Sequence, residues 1–291
     1  MFGPHVNRYH AKGSRPRIDE HIEAARQEAD HEADFRMRAA AIFVGGPQER
    51  KITLLASEAA SLKRYVDKTG IRVVAHSAYS AVPWRGDPDA ARHIREELQV
   101  CQSAGIVGLV VHLPKLPIES VMKYIGRLYT PLAPDVRVFL ETPAVTPRET
   151  YYETPEKLAE LFKAIREKLD PRLDHFGLCI DSAHLWTCGI DLSSNESAEE
   201  WLAALEDKAA TIPHDRVMIH LNDSGRPLGV GPDTHAGLAS GQIWGDYKDR
   251  LDESGLAAFV NYAARHDTIV ILERKPKSEL KLDYLVLRKL M

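Results

Sequence analysis

Eight short apolar runs are spaced along the chain and separated by stretches with helical periodicity, and few folds accommodate that alternation. The runs are residues 2–6, 40–44, 72–76, 108–112, 137–141, 176–181, 217–221 and 268–273. Between them the spacing predicts helices over 18–30, 87–104, 118–128, 156–169, 201–210 and 255–266, with a last one over 278–291. Thr154-Pro155 reads as an N-cap followed by Pro at the first helical position, and Ser197-Ala198-Glu199-Glu200 reads as a capping box. Strand and helix in strict alternation predict a parallel α/β fold, either a closed (β/α)8 barrel or an open doubly wound sheet.

What separates the two is where the polar residues fall. His76, His112, Glu141 and Asp181 end the third to sixth runs, His220 lies near the end of the seventh, and Glu273 ends the eighth. Parallel strands finish on one face, and closure turns that face into a ring around one axis, where barrel enzymes place their sites. An open sheet would spread the same side chains along a line. The expectation is therefore a single barrel domain over residues 1–291, with a metal site at the C-terminal face of its strands. Two loops add donors: His184, three residues after Asp181, and Asp233-Thr234-His235 after the seventh strand. Five His and four acidic residues, without Cys, suit Zn²⁺ or Mn²⁺, and carboxylates bridge ions readily. Nine ligands exceed what one tetrahedral ion takes and suffice for two or three.

Length and composition agree with this. The 291 residues are close to the roughly 250 of a (β/α)8 barrel, and 44% hydrophobic with 27% charged residues is ordinary for a globular protein. No run approaches the roughly 18 apolar residues of a membrane span, and no secretory h-region opens the chain, so an intracellular protein is expected. Cys101, Cys179 and Cys188 lack CxxC spacing and suit a reducing compartment. A net charge of −4 gives no general attraction for nucleic acid, so any DNA binding must use a local basic surface or metal ions.

At these residues the chain resembles the endonuclease IV family, AP endonuclease family 2, from Gly3-Pro4-His5-Val6 to Glu273. The most specific matches are Cys179-Ile180-Asp181-Ser182-Ala183-His184, His220-Leu221-Asn222-Asp223, and Asp233-Thr234-His235 leading to Gly241-Gln242-Ile243. His76-Ser77-Ala78-Tyr79 and Leu140-Glu141-Thr142 also match. The resemblance implies three zinc ions per chain, with Mn²⁺ possible at one position. It places the first on His76, His112 and a bridging Glu141, the second on Glu141, Asp181, His220 and Glu273, and the third on His184, Asp233 and His235. It implies Glu141 and Glu273 at the catalytic centre of a monomeric enzyme acting on double-stranded DNA. The implied reaction is hydrolysis 5′ to an abasic site, leaving a 3′-hydroxyl, often with trimming of blocked 3′ ends. Metal binding lowers the pKa of water from 15.7 to about 7, so no Ser or Cys nucleophile is required.

The chain departs from the family pattern beside two ligands. Leu113-Pro114 stands where Pro-Gly is usual, and Thr142-Pro143 where Asn-Thr is usual. Residues 45–50 match the family's DNA-penetrating loop only loosely, so Arg50 either enters the duplex or is a solvated loop residue. Tyr79 either shapes the lesion pocket or packs at the rim, and the same pair of readings holds for Trp84, Trp186 and Trp244 against bases or sugars. His5 is expected to be structural, and His10, His21, His31, His93, His175, His214 and His266 receive no role. A sugar isomerase or epimerase on the same barrel is the main rival. Glu141, Asp181, His220 and Glu273 satisfy its pattern alone, and the set His184, Asp233 and His235 separates the two. A non-catalytic DNA- or metal-binding relative is the third reading.

Overall fold

The computed structural model describes residues 1–6, 17–144, 151–169, 172–274 and 277–291; His10 lies outside them. Eight parallel strands run in the order β1 (Phe2–Pro4), β10 (Ile269–Leu272), β7 (Val217–His220), β6 (Phe176–Asp181), β5 (Arg137–Glu141), β4 (Gly108–His112), β3 (Arg72–His76) and β2 (Ala39–Phe43). The ends meet: His5 bridges to Ala41 in parallel, Val6 N donates to Ala41 O at 2.7 Å and Arg38 N to Phe2 O at 3.0 Å. The sheet is a closed (β/α)8 barrel. Gly3 makes the closure possible, since a Cβ there would lie 1.5 Å from Ala39 O.

Around the barrel run α1 (Ile18–Ala33), α2 (Ala56–Thr69), α3 (Pro88–Ala104), α4 (Ile118–Met122), α5 (Pro155–Leu169), α6 (Ser182–Thr187), α7 (Asn195–Glu206), α8 (Gly255–His266) and α9 (Lys277–Leu290). Asp87 caps α3 by accepting from the N–H groups of Asp89 and Ala90, ahead of Pro88. Several elements differ from the sequence reading. The 118–128 helix is two pieces, α4 and a 3₁₀ turn over Ile125–Leu128, because Tyr124 and Arg127 donate to carbonyls three residues back. α7 starts earlier than 201, since Ser194 rather than Ser197 accepts the capping bond, from Ser197 N at 3.1 Å. The sequence reading also omitted α2, and a two-stranded hairpin, β8 (Asp223–Ser224) with β9 (His235–Ala236), rises after β7.

The core has two parts, and strand alternation assigns them. Ala39, Ala41, Val74, Val110, Phe139, Cys179, Met218, Ile269 and Ile271 fill the barrel interior. Their neighbours on the strands, such as Ile42, Val73, Leu109, Val138, Leu178 and Ile219, face the helices. Phe139 occupies space that Gly108 and Gly177 leave free, for a Cβ at either would come within 2.8 Å of its ring. Among the described residues, no helix is long and apolar enough to cross a membrane.

Candidate metal centre

Period-two alternation carries the interior face of each strand on to its C-terminal end. Two residues beyond Val74, Val110, Phe139, Cys179, Met218 and Ile271 stand His76, His112, Glu141, Asp181, His220 and Glu273. The same step from Gly3 and Ala41 reaches His5 and Phe43. The top layer of the barrel is thus one side chain from each of the eight strands, six of them the predicted donors. Register aligns them in pairs, with His112 opposite Glu141 and Asp181 opposite His220.

The donors converge closely. His112 Nε2 lies 2.9 Å and His76 Nε2 3.3 Å from Glu141 Oε2, and the two imidazole nitrogens are 3.1 Å apart. The other oxygen, Glu141 Oε1, lies 2.7 Å from His220 Nδ1, which is also 3.4 Å from Glu273 Oε2 and 4.0 Å from Asp181 Oδ2. Across the mouth, Asp233 Oδ2 lies 3.0 Å from His235 Nε2 and 3.7 Å from His184 Nε2, while His235 Nε2 lies 3.8 Å from Asp181 Oδ2. Ligands about 2.0–2.1 Å from a tetrahedral zinc ion stand about 3.4 Å apart, and these atoms lie 2.7–4.0 Å from one another along the pairs given. His76–His112–Glu141, Glu141–Asp181–His220–Glu273 and Asp181–His184–His235 each bring their donor atoms within 4.8 Å of one another. Asp233 joins the last group through both imidazoles. The predicted sets are therefore brought together, with Asp181 placed between the second and third.

A layer of hydrogen bonds aims the imidazoles. His76 Nδ1 lies 2.8 Å from Ser77 O, His184 Nδ1 2.7 Å from Thr142 O and His235 Nδ1 3.3 Å from Glu273 O. A carbonyl accepts only from N–H, so each bond leaves Nε2 toward the centre as the free donor atom. Asn222 Nδ2 donates to Asp181 Oδ2 at 2.8 Å and approaches Glu273 Oε2 at 3.3 Å, and its Oδ1 accepts from Glu273 N at 3.0 Å. Asp223, fully buried, holds the loop after β9 by accepting from Gly241 N and Ile243 N at 3.0 and 2.9 Å. The sequence motifs contained Thr142, Asn222 and Asp223 without revealing these roles, because each depends on contacts across strands.

Four carboxylates in one enclosed space call for positive charge. Burial alone would raise Glu141, yet His112 and His220 outweigh it and hold its carboxyl well below the usual range. Burial likewise opposes ionisation of Glu273, but His220 and His5 lower it well below its ordinary value. Burial wins at Asp181, raising it against His184 and His235. Burial opposes charge on the imidazoles too, yet Asp181 and Asp233 raise His184 well above its usual value, and Asp233 and Asp181 bring His235 up to about 9. In the chain alone, the neighbouring imidazoles offset the carboxylates, at positions where cations would sit. Asp233 Oδ1 remains buried without a hydrogen-bond partner, as expected of a donor meant for an ion. The residues fit the group.

Tyr79 is 46% exposed and meets the His76 ring edge-on at 5.2 Å, at the edge of a cavity of about 640 Å³ that reaches His76, His112, His184 and Asp233. Arg50 is engaged within the chain: its guanidinium pairs with Asp87 Oδ2 at 2.5 Å and donates to Ser80 O at 2.7 Å. Trp84, Trp186 and Trp244 are buried, and each indole N–H donates to a carbonyl, of His112, Arg226 and Leu192 respectively, so all three pack the rim. His5 is buried beside the ring, with Nδ1 3.6 Å from Glu273 Oε1.

The fold and this ring define a closed parallel barrel with a cluster of candidate metal donors at its mouth. Residues 31–289 match the model of the AP endonuclease 2 family, described as xylose isomerase-like TIM barrels, and the chain belongs to that family. A protein of African swine fever virus named "Probable AP endonuclease" is 37% identical over 250 residues, 86% of this chain and 83% of that one. The crystal structure of AsfvAP:AG superposes with a TM-score of 0.92 at 33% identity, covering 100% of this chain and 98% of that chain. Endonuclease IV from Thermus thermophilus shares the fold, with a TM-score of 0.72 at 22% identity over 99% of both chains.

Proposed function

We propose that the chain is a zinc-dependent AP endonuclease that hydrolyses the phosphodiester 5′ to an abasic site in double-stranded DNA and leaves a 3′-hydroxyl. The observation that carries this reading is the convergence of nine His, Asp and Glu side chains on one barrel mouth. His76, His112 and Glu141 would hold a first ion. Glu141, Asp181, His220 and Glu273 would hold a second, and His184, Asp233 and His235 a third. Mn²⁺ would fit one of these sets as well as Zn²⁺ does, since imidazole and carboxylate donors suit both.

Bound there, the ions would acidify water to supply the nucleophile and neutralise the phosphate and leaving oxygens. The rest is the work of the chain. Glu141 divides its two oxygens between the first two sets, so one carboxylate fixes their separation. Glu273, placed by the Asn222 amide, orients the second set. His112, with 43% of its side chain exposed, is the donor most open to the cavity and to an incoming phosphate. In-line displacement at phosphorus needs chiefly such positioning and charge stabilisation. Tyr79, standing edge-on to His76, would offer an aromatic contact to the sugar of the lesion. Arg50 reaches DNA only by giving up Asp87, so it contributes less to lesion recognition than Tyr79.

The test is a duplex carrying one tetrahydrofuran abasic analogue, incubated with and without chelator. That analogue cannot undergo β-elimination, so chelator-sensitive cutting on its 5′ side with a 3′-hydroxyl product supports the reading. A zinc-loaded protein that leaves the duplex intact, yet interconverts a ketose and an aldose, would replace it with the isomerase reading. The set His184, Asp233 and His235 argues against that outcome, because Glu141, Asp181, His220 and Glu273 already meet an isomerase's need.

A further inference from the structure

His76 and Tyr79 stand at the two ends of a four-residue arch, His76-Ser77-Ala78-Tyr79, that leaves the tip of β3. The arch is pinned at several points. Ser77 N donates to Val110 O at 2.9 Å, and Tyr79 N to Pro47 O at 2.8 Å. Its middle is held from the helix layer by a residue that belongs to none of the donor sets. Glu97, on α3 and 1% exposed, accepts from Ser77 Oγ at 2.6 Å with one oxygen, and the other lies 3.3 Å from Ala78 N. His93, one turn earlier on α3 and also buried, places Nε2 3.4 Å from that second oxygen.

A buried carboxylate is a poor way to stabilise a helix–barrel interface. Its desolvation offsets most of what its bonds return, and an apolar side chain of the same volume would serve packing as well or better. A carboxylate does fix direction, because its two oxygens accept along set lines. Here those lines end on Ser77 and Ala78, and Ser77 O is the acceptor that orients His76 Nδ1 at 2.8 Å. A rotation of the Ser77 peptide would turn that carbonyl away and free the His76 ring to swing from Glu141.

We propose that Glu97 is a positioning residue of the metal centre, holding the Ser77-Ala78 arch so that His76 keeps Nε2 on the first ion. This rests on the metal-centre reading above and deepens it. It assigns Glu97 no contact with DNA or with an ion.

The experiment uses the full zinc-loaded chain and the variants Glu97→Gln, Ser77→Ala and Ser77→Thr. Zinc per chain is measured after dialysis against graded chelator, beside kcat and KM for the tetrahydrofuran duplex and the melting temperature of the metal-free protein. Loss of a partner behind a metal-bound histidine typically weakens binding about 10–100-fold. Glu97→Gln and Ser77→Ala should each release one ion per chain at about 10–100-fold lower chelator than the parent, with kcat reduced more than KM is raised. Ser77→Thr keeps the hydroxyl and should restore both. Ser77→Ala removes the bond from the loop side, so the proposal stays testable should Glu97→Gln fold poorly. Parental zinc retention with parental kcat in Ser77→Ala would overturn the proposal. So would losses that only follow the fraction unfolded, or a failure of Ser77→Thr to restore zinc. A parent chain that holds zinc but leaves abasic DNA intact would overturn the activity alone, with positioning judged by zinc release. A parent that takes up no zinc would overturn both.

Discussion

Asn222 donates to Asp181 through Nδ2 at 2.8 Å, and the same nitrogen lies 3.3 Å from a second carboxylate, that of Glu273. One neutral amide thus separates two acids that arrive from β6 and β10, with β7 between them. Among the described residues, no lysine or arginine pairs with either acid at the centre, and Asn222 is itself 1% exposed.

Replacing that amide should therefore be felt as a loss of metal. Asn222→Ala leaves both acids without their shared donor, and about 10–100-fold weaker zinc retention is expected from loss of such a partner. Asn222→Asp adds a third negative charge in the same space and should disturb the fold of the metal-free chain more than Asn222→Ala does. Zinc analysis after graded chelation, with melting curves on the stripped proteins, checks both. Unchanged retention in Asn222→Ala would remove Asn222 from the site.

Two donors test the centre directly. His112 is the most exposed of the ring, so His112→Ala should leave the fold intact and lower incision about 10²–10³-fold, the loss usual for one electrostatic stabiliser of the transition state. Glu273→Gln keeps the shape of the side chain and its Asn222 contact but removes the charge, and a similar loss is expected. Near-normal cutting by both variants, with normal circular dichroism, would move the active site elsewhere.

Stability should respond to pH in opposite ways with and without metal. In the chain alone, His235 is raised from an ordinary 6.5 to about 9, burial being outweighed by Asp233 and Asp181, and His184 is raised as well. A folded-state value above the unfolded one means stability that is complete below about pH 6.5 and lost as pH rises through about 9. The melting temperature of the stripped protein should fall across that window. Zinc must displace the same protons, so its affinity, and with it the stability of the loaded protein, should rise over the same range. Parallel curves for the two forms would contradict the assignment.

Tyr79 is tested through binding. It is half exposed and touches His76 only by its edge, so Tyr79→Ala should leave zinc content unchanged. Loss of one aromatic contact to the abasic sugar should raise KM for abasic duplex a few-fold, below the roughly 1–3 kcal/mol that stacking on a base carries. Arg50→Ala should change KM less, because its guanidinium is engaged by Asp87 and Ser80. A larger effect at Arg50 than at Tyr79 would reverse their roles.

Most of the barrel was legible along the chain because a parallel strand buried on both faces must be a short apolar run. β3, β4, β5 and β6 begin and end where those runs do. The same logic placed a donor at six of the eight strand tips, since a polar group in an apolar run stands out in one dimension. α2 was missed because Leu55, at its N-cap, makes no side-chain capping bond, and α7 was misplaced because Ser194 and Ser197 are both capping residue types and only the fold selects Ser194. By itself, then, the sequence determined the strand–helix alternation, the candidate metal donors and their shared end of the sheet. The tertiary structure alone decided how the barrel closes, through Gly3 and His5, and how β3, β4 and β7 bring their donors to Glu141 of β5. It also decided the burial of the three rim tryptophans, the capture of Arg50 by Asp87, and the service of Asn222 to two acids. Those outcomes hang on distances between residues far apart in the chain, and hydrogen bonds and ion pairs act only within a few ångströms.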